Sequence, residues 1–294
     1  MMEERASELR RSRVPFVHAR VVLAEAPTSA KPGAEALILP DGTIEGFVGG
    51  DCAESTVRAQ GLALLDSGES LLLRITPAPE PDQAGKLVVH NPCLSGGTLE
   101  IFMEPVLPAP TIIVVGTAPV AEALRGIAGH MGWDCSPSSD IDSKLLAGAS
   151  AVVVASHGRD EEDTLTAALD AEVPYIGLVA SGKRGDAVIA SLGVCPSHSS
   201  RIHSPAGLDI GARTPVEIAL SIMSEIVSLR PRPSGRPVTE TTSSNGSATD
   251  PVCKMSVLMV DASLHLDHDG ERFWFCGSGC LRAFASNPDA YRSA

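Results

Sequence analysis

The sequence predicts an α/β protein in three parts. These are a mixed α+β domain over residues 1–107, a parallel-sheet domain with helices on both faces over 111–229, and a small module over 250–294. Three observations carry this expectation. Before residue 107 the apolar runs are mostly separated by turn signals. After residue 110, short and wholly apolar runs alternate with helical patterns, which argues for βαβ units. Residues 230–249 then hold thirteen Pro, Gly, Ser or Thr in twenty and almost nothing to bury, the composition of a flexible linker.

Residues 3–13 are charged with helical potential, and the Val-rich run 15–26 reads as a strand. The loop PTSAKPG follows. Residues 34–50 read as a hairpin, because Asp41-Gly42 sits between two apolar runs. A helix is expected over 53–68, where Val57, Leu62, Leu64 and Leu65 supply an apolar face, and strands over 70–76, 86–90 and 97–106. The Pro-rich stretch 107–110 marks a boundary. Beyond it, strands at 111–116, 149–158 and 174–181 alternate with helices at about 118–132, 159–172 and 182–193. A long amphipathic helix closes the domain at 214–229. Thr214 and Glu217 have the spacing of a capping box, and Pro215 suits the first helical position.

The 294 residues are 44% apolar but only 3% aromatic, so the cores must be built from Ala, Val, Leu and Ile. A net charge of −13 argues against nucleic acid or an anionic membrane surface as partner. The first residues show no secretory pattern, and no apolar run approaches the roughly 18 residues of a membrane span. The expected location is the cytoplasm, where the seven cysteines would be reduced thiols or metal ligands.

Two segments of the first domain could carry chemistry. In GFVGGDCAE, the pair Gly49 and Gly50 precedes Asp51, Cys52 and Glu54 at a helix start. Amides there attract anions, the helix N-terminus lowers a thiol pKa, and glycines let a ligand approach the main chain. The same residues also suit a glycine turn, an Asp N-cap and a buried Cys. In NPCLSGGTLE, Cys93 precedes Gly96 and Gly97, ahead of a strand. In the second domain VVGTAPVAEA is a buried strand, a turn at Gly116 and a helix, the start of a Rossmann-like unit. Ala118 stands where the dinucleotide fingerprint has its second Gly, and its Cβ would crowd a pyrophosphate. NAD(P) binding is therefore not expected. Lys183 and Arg184 suit either a phosphate or a solvated helix start.

The two Cys/Gly-Gly units together resemble the signature of the XdhC/CoxI family, most of all its CoxF-like branch. That pattern is a GG-C-x-E segment followed by C-x-GG-x-x-E and a closing EP. The stretches SPAGLDIGARTPVEIALSIMSEIV and VASGKRGDA are similar to further family segments. The resemblance implies an accessory protein for molybdenum hydroxylases such as xanthine or carbon monoxide dehydrogenase. It implies binding of molybdenum cofactor (molybdopterin), assistance with its sulfuration, and delivery to the apo molybdenum hydroxylase large subunit. It admits a cysteine desulfurase as a second partner and a homodimer through the first domain. The cofactor cleft would lie between the first two domains, lined by Gly49, Gly50, Asp51, Cys52, Glu54, Cys93, Gly96, Gly97 and Gly116. Asp51 departs from the small residue usual in relatives. It either opposes an anionic pterin, caps the helix or hydrogen-bonds the ring.

The last 45 residues hold Cys253, then Cys276 and Cys280 at i and i+4 of a helix start. Three thiolates form a soft site that selects Cu(I) or Zn over hard ions, and a metal would stabilise so small a module. DPVCKM, DGERFWFCGSGC, Phe284 and NPDAY resemble the YHS domain, which is linked to metal binding, often copper. His265 and His268 are additional candidate ligands. The expected function is thus a cofactor chaperone rather than a catalyst, with a tethered copper or zinc module. Two alternatives stand beside it: a nucleotide-dependent oxidoreductase or sulfur-transfer enzyme using Cys52, and a metal sensor or scaffold that binds no pterin.

Overall fold

The chain opens with α1 (Met2–Arg11), acidic in its first turn and basic in its last, which suits the helix dipole. Ala6 and Leu9 on its inner face pack on Phe16 and Leu37. The coordinates are a computed structural model that describes residues 2–81, 83–91, 97–138, 143–156, 158, 160–230 and 246–292. The chain divides into two units, Met1–Pro108 with Arg232–Ala294, and Ala109–Pro231.

In the first unit, β1 (Phe16–Glu25), β2 (Glu35–Ile38), β3 (Ile44–Gly46), β4 (Leu71–Thr76), β5 (Leu87–His90) and β6 (Thr98–Val106) form one sheet in the order β3-β2-β1-β6-β4-β5. All neighbours are antiparallel except β4 and β5. The helix α2 (Asp51–Ser67) crosses one face. Alternate residues of the strands, among them Val17, Ala19, Val21, Leu73, Ile101 and Met103, bury against its Ala53, Val57 and Leu64. The β2–β3 turn falls at Asp41-Gly42 as the sequence predicts, with the Asp41 carboxylate accepting from the Thr43 amide at 2.9 Å. The helix expected from Ala53 starts two residues earlier, with Gly50 as N-cap.

The tail completes the first unit. β12 (Ser247–Thr249) pairs with β13 (Ser256–Leu258), and β14 (Leu264–His268) forms a hairpin with β15 (Glu271–Phe275) through Asp269-Gly270. The helix α9 (Ser278–Ser286) and the short α10 (Asp289–Arg292) follow. Its small core centres on the fully buried Phe284, ringed by Phe273, Phe275 and Tyr291.

The second unit is a doubly wound sheet of five parallel strands: β7 (Thr111–Val115), β8 (Asp134–Ser138), β9 (Ala151–Val154), β10 (Tyr175–Leu178) and β11 (Ile202–His203). The order β11-β10-β9-β7-β8 reverses between β7 and β9, the place where such folds receive ligands. The helices are α3 (Pro119–His130), α4 (Ser143–Leu146), α5 (Glu161–Asp170), α6 (Gly182–Ser191), α7 (Pro196–Ser199) and α8 (Pro215–Leu229). Ile112, Val114, Ala151 and Val153 face one layer with α3 and α8. Ile113, Val115, Val152 and Val154 face the other with α5. Burial on both faces is why these strands read as unbroken apolar runs. Sequence patterning alone gives no place to β8, α4, α7 or β11. β8 is an edge strand reading DCSPS, and Pro137 is tolerated there because its missing N–H leaves no central ladder broken.

Candidate metal centre and glycine-rich segment

The three tail thiols converge. Cys253 lies in the turn after β12, Cys276 just beyond β15 and Cys280 in the first turn of α9. The sulfurs of Cys253 and Cys276 are 3.4 Å apart, and those of Cys276 and Cys280 3.7 Å. Metal–sulfur bonds of about 2.3 Å in a tetrahedron put sulfurs about 3.8 Å apart, so the spacing suits one thiophilic ion. The fourth group here, Asp250, is not among the residues that the sequence singles out. Its ligand oxygen and the three sulfurs all lie within 4.8 Å of one another.

Asp250 is fully buried and shapes the cluster through backbone amides. One oxygen accepts from Val252 at 2.8 Å and Cys253 at 3.3 Å, and the other from Cys276 at 2.8 Å. The Asp-Pro step before the first Cys, an Asx-turn signal, was the available clue. The thiols share protons unevenly. A hydrogen bond shared with Cys276 holds the Cys253 thiol down at about 7. Cys276 itself is raised, first by that bond and next by the neighbouring Cys52 thiol. Burial and the Asp250 charge push Cys280 up to about 12. His265 and His268 stand apart from the cluster. The first bonds the Ser263 carbonyl at 2.9 Å and tilts on Trp274, and the second presents its ring to Phe284.

The glycine-rich segment of the N-terminal domain lies against this cluster. Gly49 leads into the helix. Among the described residues nothing stands within 4 Å of a Cβ on Gly50, so their packing does not demand glycine there. Asp51 is the first residue of α2, and its carboxylate accepts the Ser278 amide at 2.9 Å. That amide opens α9, so one carboxylate serves two helix N-termini, where negative charge is favoured. Its pKa is lowered, chiefly by Ser278. Cys52 is half-buried beside Gly277, where a Cβ would stand 3.6 Å from its sulfur. Glu54, pushed up by burial, lies one turn before Arg58. Asn91 is buried and donates to the Cys52 carbonyl at 3.0 Å, while its Oδ1 has no partner among the described residues. Gly97 takes a φ of +127°, and a Cβ would strike the Pro27 carbonyl. Cys93 and Gly96 lie outside the described residues.

In the second unit Gly116 ends β7 at φ +104°, and a Cβ would collide with the Ala155 carbonyl. Close packing of β7 on β9 thus accounts for this glycine without a ligand. Arg125 donates to the carbonyls of Val114 at 2.9 Å and Gly116 at 2.7 Å, bracing the turn from α3. Ala118 is buried in the core as the N-cap of α3. Arg184, a candidate phosphate group, instead binds the buried Glu161 at 2.5 Å. Glu161 also accepts from the Gly158 amide at 2.7 Å. A cleft of about 390 Å³ lined by Leu146, Ser150, Pro174 and Arg230 lies at the opposite, N-terminal edge of the strands, away from the crevice such folds use. The expected capping box at Thr214 and Glu217 is present. Cys195 was not singled out in the sequence. Its sulfur lies 2.8 Å from His198 Nδ1 and 3.1 Å from Ser197 Oγ, and these hold its pKa down at about 6. The C-x-x-H spacing at a helix turn was the missed signal.

Residues 9–76 match the model of the XdhC and CoxI family, 112–226 that of the XdhC Rossmann domain, and 248–294 that of the YHS domain. The chain is 26% identical over 253 residues to the uncharacterized protein YqeB of Escherichia coli, covering 76% of this chain and 45% of YqeB. It is 29% identical over 160 residues to a probable xanthine dehydrogenase component of Bacillus subtilis, covering 46% of this chain and 47% of that protein. The chain thus spans about half the length of the curated relatives it matches. A solved structure from Bacillus halodurans, described as a xanthine dehydrogenase, superposes with a TM-score of 0.50 at 17% identity, covering 77% of this chain and 65% of that one, and shares the fold. With both XdhC segments in order ahead of the tail, the chain belongs to the XdhC and CoxI family and carries a C-terminal YHS domain.

Proposed function

We propose that the chain is an accessory factor for a molybdenum hydroxylase of the xanthine dehydrogenase type. Its N-terminal domain holds molybdenum cofactor for sulfuration and insertion into the large subunit of the apo-enzyme, and its tail carries copper or zinc. One observation carries the reading: Gly277 and Ser278, between two of the tail's cysteines, lie against Asp51 and Cys52, within the segment where the family signature falls.

Both groups suit the residues present. Three sulfurs at 3.4 and 3.7 Å match a thiophilic ion. For the pterin, among the described residues nothing stands within 4 Å of a Cβ on Gly50, and the buried Asn91 Oδ1 has no hydrogen-bond partner. Asn91 would orient the ring from there, with Gly50 allowing main-chain approach. Asp51 is engaged by the Ser278 amide and stays ionised, so its part there is to seat the tail. When bound, the cofactor supplies a dithiolene-held molybdenum. The protein's part is to hold it, shield it and release it. A cysteine desulfurase would be the sulfur donor, and a homodimer the assembly, on the family resemblance alone.

The test mixes cofactor-loaded chain anaerobically with cofactor-free hydroxylase. Hydroxylase activity should appear with the loaded chain and fail with chain stripped of pterin. Equal activation by both would refute the reading. A second reading, thiol catalysis, is favoured by the Cys195–His198 pair, and it predicts sulfur transfer that Cys195→Ala abolishes.

A further inference from the structure

We infer that Cys52 of the N-terminal domain is the fourth thiolate of the tail's metal site, so that one ion bound by Cys52, Cys253, Cys276 and Cys280 latches the tail onto α2. The inference rests on the tail binding a thiophilic ion. It adds a ligand that the tail's own spacing does not contain.

Four observations converge on it. First, the tail supplies three sulfurs, whereas structural sites for thiophilic ions such as zinc are closed by four ligands. Second, the nearest alternative, Asp250, has both carboxylate oxygens committed to three backbone amides. Oδ2, which takes only the Cys276 amide, keeps one acceptor site, but it is a hard oxygen that a thiophilic ion passes over for a fourth sulfur. Third, a Cβ placed on Gly277, the residue after Cys276, would stand 3.6 Å from the Cys52 sulfur, while Cys276 itself faces Cys253 and Cys280. Cys52 thus lies beside the cluster but outside the four groups that stand within 4.8 Å of one another, and a bound ion would draw its sulfur in. Fourth, the approach is fixed on both flanks. The Asp51 carboxylate holds the Ser278 amide, and Gly277 lies so close that a Cβ would stand 3.0 Å from the Asp51 Cβ. Val260 covers Gly42 beside Arg58 further along the same face.

Each thiol that joins the ion gives its proton to solvent, and the ion keeps its oxidation state. No oxidant or reductant is needed. Metal loading and tail docking then become one equilibrium. An ion carried by the tail is presented at the glycine-rich segment only when the latch is closed.

The test uses the full chain, stripped of metal and titrated anaerobically with Co(II), then with Zn(II) in competition. Thiolate-to-cobalt charge-transfer absorption per ion grows with the number of sulfur ligands. The native chain should show a tetrahedral four-sulfur spectrum. Cys52→Ala should lose about a quarter of that intensity and bind roughly 100-fold more weakly, the share of one ligand in four. Gly277→Val keeps every cysteine and an extended backbone but wedges the two surfaces apart, and should give the same three-sulfur spectrum. Cys276→Ala, which removes a tail sulfur, calibrates the loss. If Cys52→Ala matches the native chain while Cys276→Ala loses intensity and affinity, the tail closes its site alone and the inference is overturned. If the native chain binds neither Co(II) nor Zn(II), the metal-module reading falls with it.

Discussion

Replacing Asp250 by Ala should unfold the metal-free tail while leaving the rest of the chain intact. The carboxylate is fully buried and satisfies the amides of Val252, Cys253 and Cys276. Leaving a buried amide unsatisfied costs about 1–3 kcal/mol, and hydrogen bonds to a charged acceptor lie at the upper end. Relief from burying a carboxylate beside three thiols returns part of this, so the net loss is about 3–5 kcal/mol. A core the size of the tail's, centred on Phe284, rarely supplies more than about 3–5 kcal/mol, so the variant tail should sit at or beyond its limit. A bound ion stabilises only the folded tail and should restore it by mass action. Trp274 lies in β15 and Trp133 in the second unit, so emission at the two sites reports on different parts. With Trp133→Phe as background, thermal melts of Trp274 emission should lose their tail transition in metal-free Asp250→Ala and regain it with Zn(II). A metal-free tail transition within about 1 kcal/mol of the parent would refute the role assigned to Asp250.

Two further outcomes follow from the second unit. Cys195, held down at about 6 chiefly by His198, is a thiolate at neutral pH, so its alkylation rate should rise through a midpoint near pH 6. In His198→Ala that midpoint should move up toward the ordinary thiol range, as read by mass spectrometry of the labelled peptide. Glu161 is buried and paired with Arg184, so Glu161→Ala leaves a guanidinium uncompensated and should destabilise this unit by about 3 kcal/mol, less than a fully buried pair because Arg184 is 39% exposed. Arg184→Leu in the same background should recover part of that loss in a denaturant melt, and no recovery would mean that the Gly158 amide, not the ion pair, sets the cost.

The parallel sheet was legible because β7, β9 and β10 are buried on both faces and bounded by glycine or proline. The hairpin at Asp41-Gly42 and the capping box at Thr214 were legible because turn and cap chemistry is local. β8 was not, since an edge strand with Pro137 carries no apolar run. The three tail thiols could be grouped by spacing and resemblance, but Asp250 could not. Its work is done by accepting amides from Cys276, 26 residues away, and an acid's partners at that separation are set by tertiary structure. Asp51 shows the same limit more sharply. Its carboxylate reads as a helix cap, yet its hydrogen bond is to Ser278, 227 residues on. Gly116 shows the reverse, since a residue that fits a phosphate loop is already required by the Ala155 carbonyl.

The most direct test is of what the chain carries. The full-length protein should be purified anaerobically from cells that make molybdenum cofactor and assayed for pterin and for metals, beside a Cys253→Ala/Cys276→Ala/Cys280→Ala variant. The expected result is pterin on both, with copper or zinc on the parent alone. Metal without pterin would contradict the chaperone reading, and would leave Gly49 and Gly50 as a structural turn in a protein that senses or scaffolds metal.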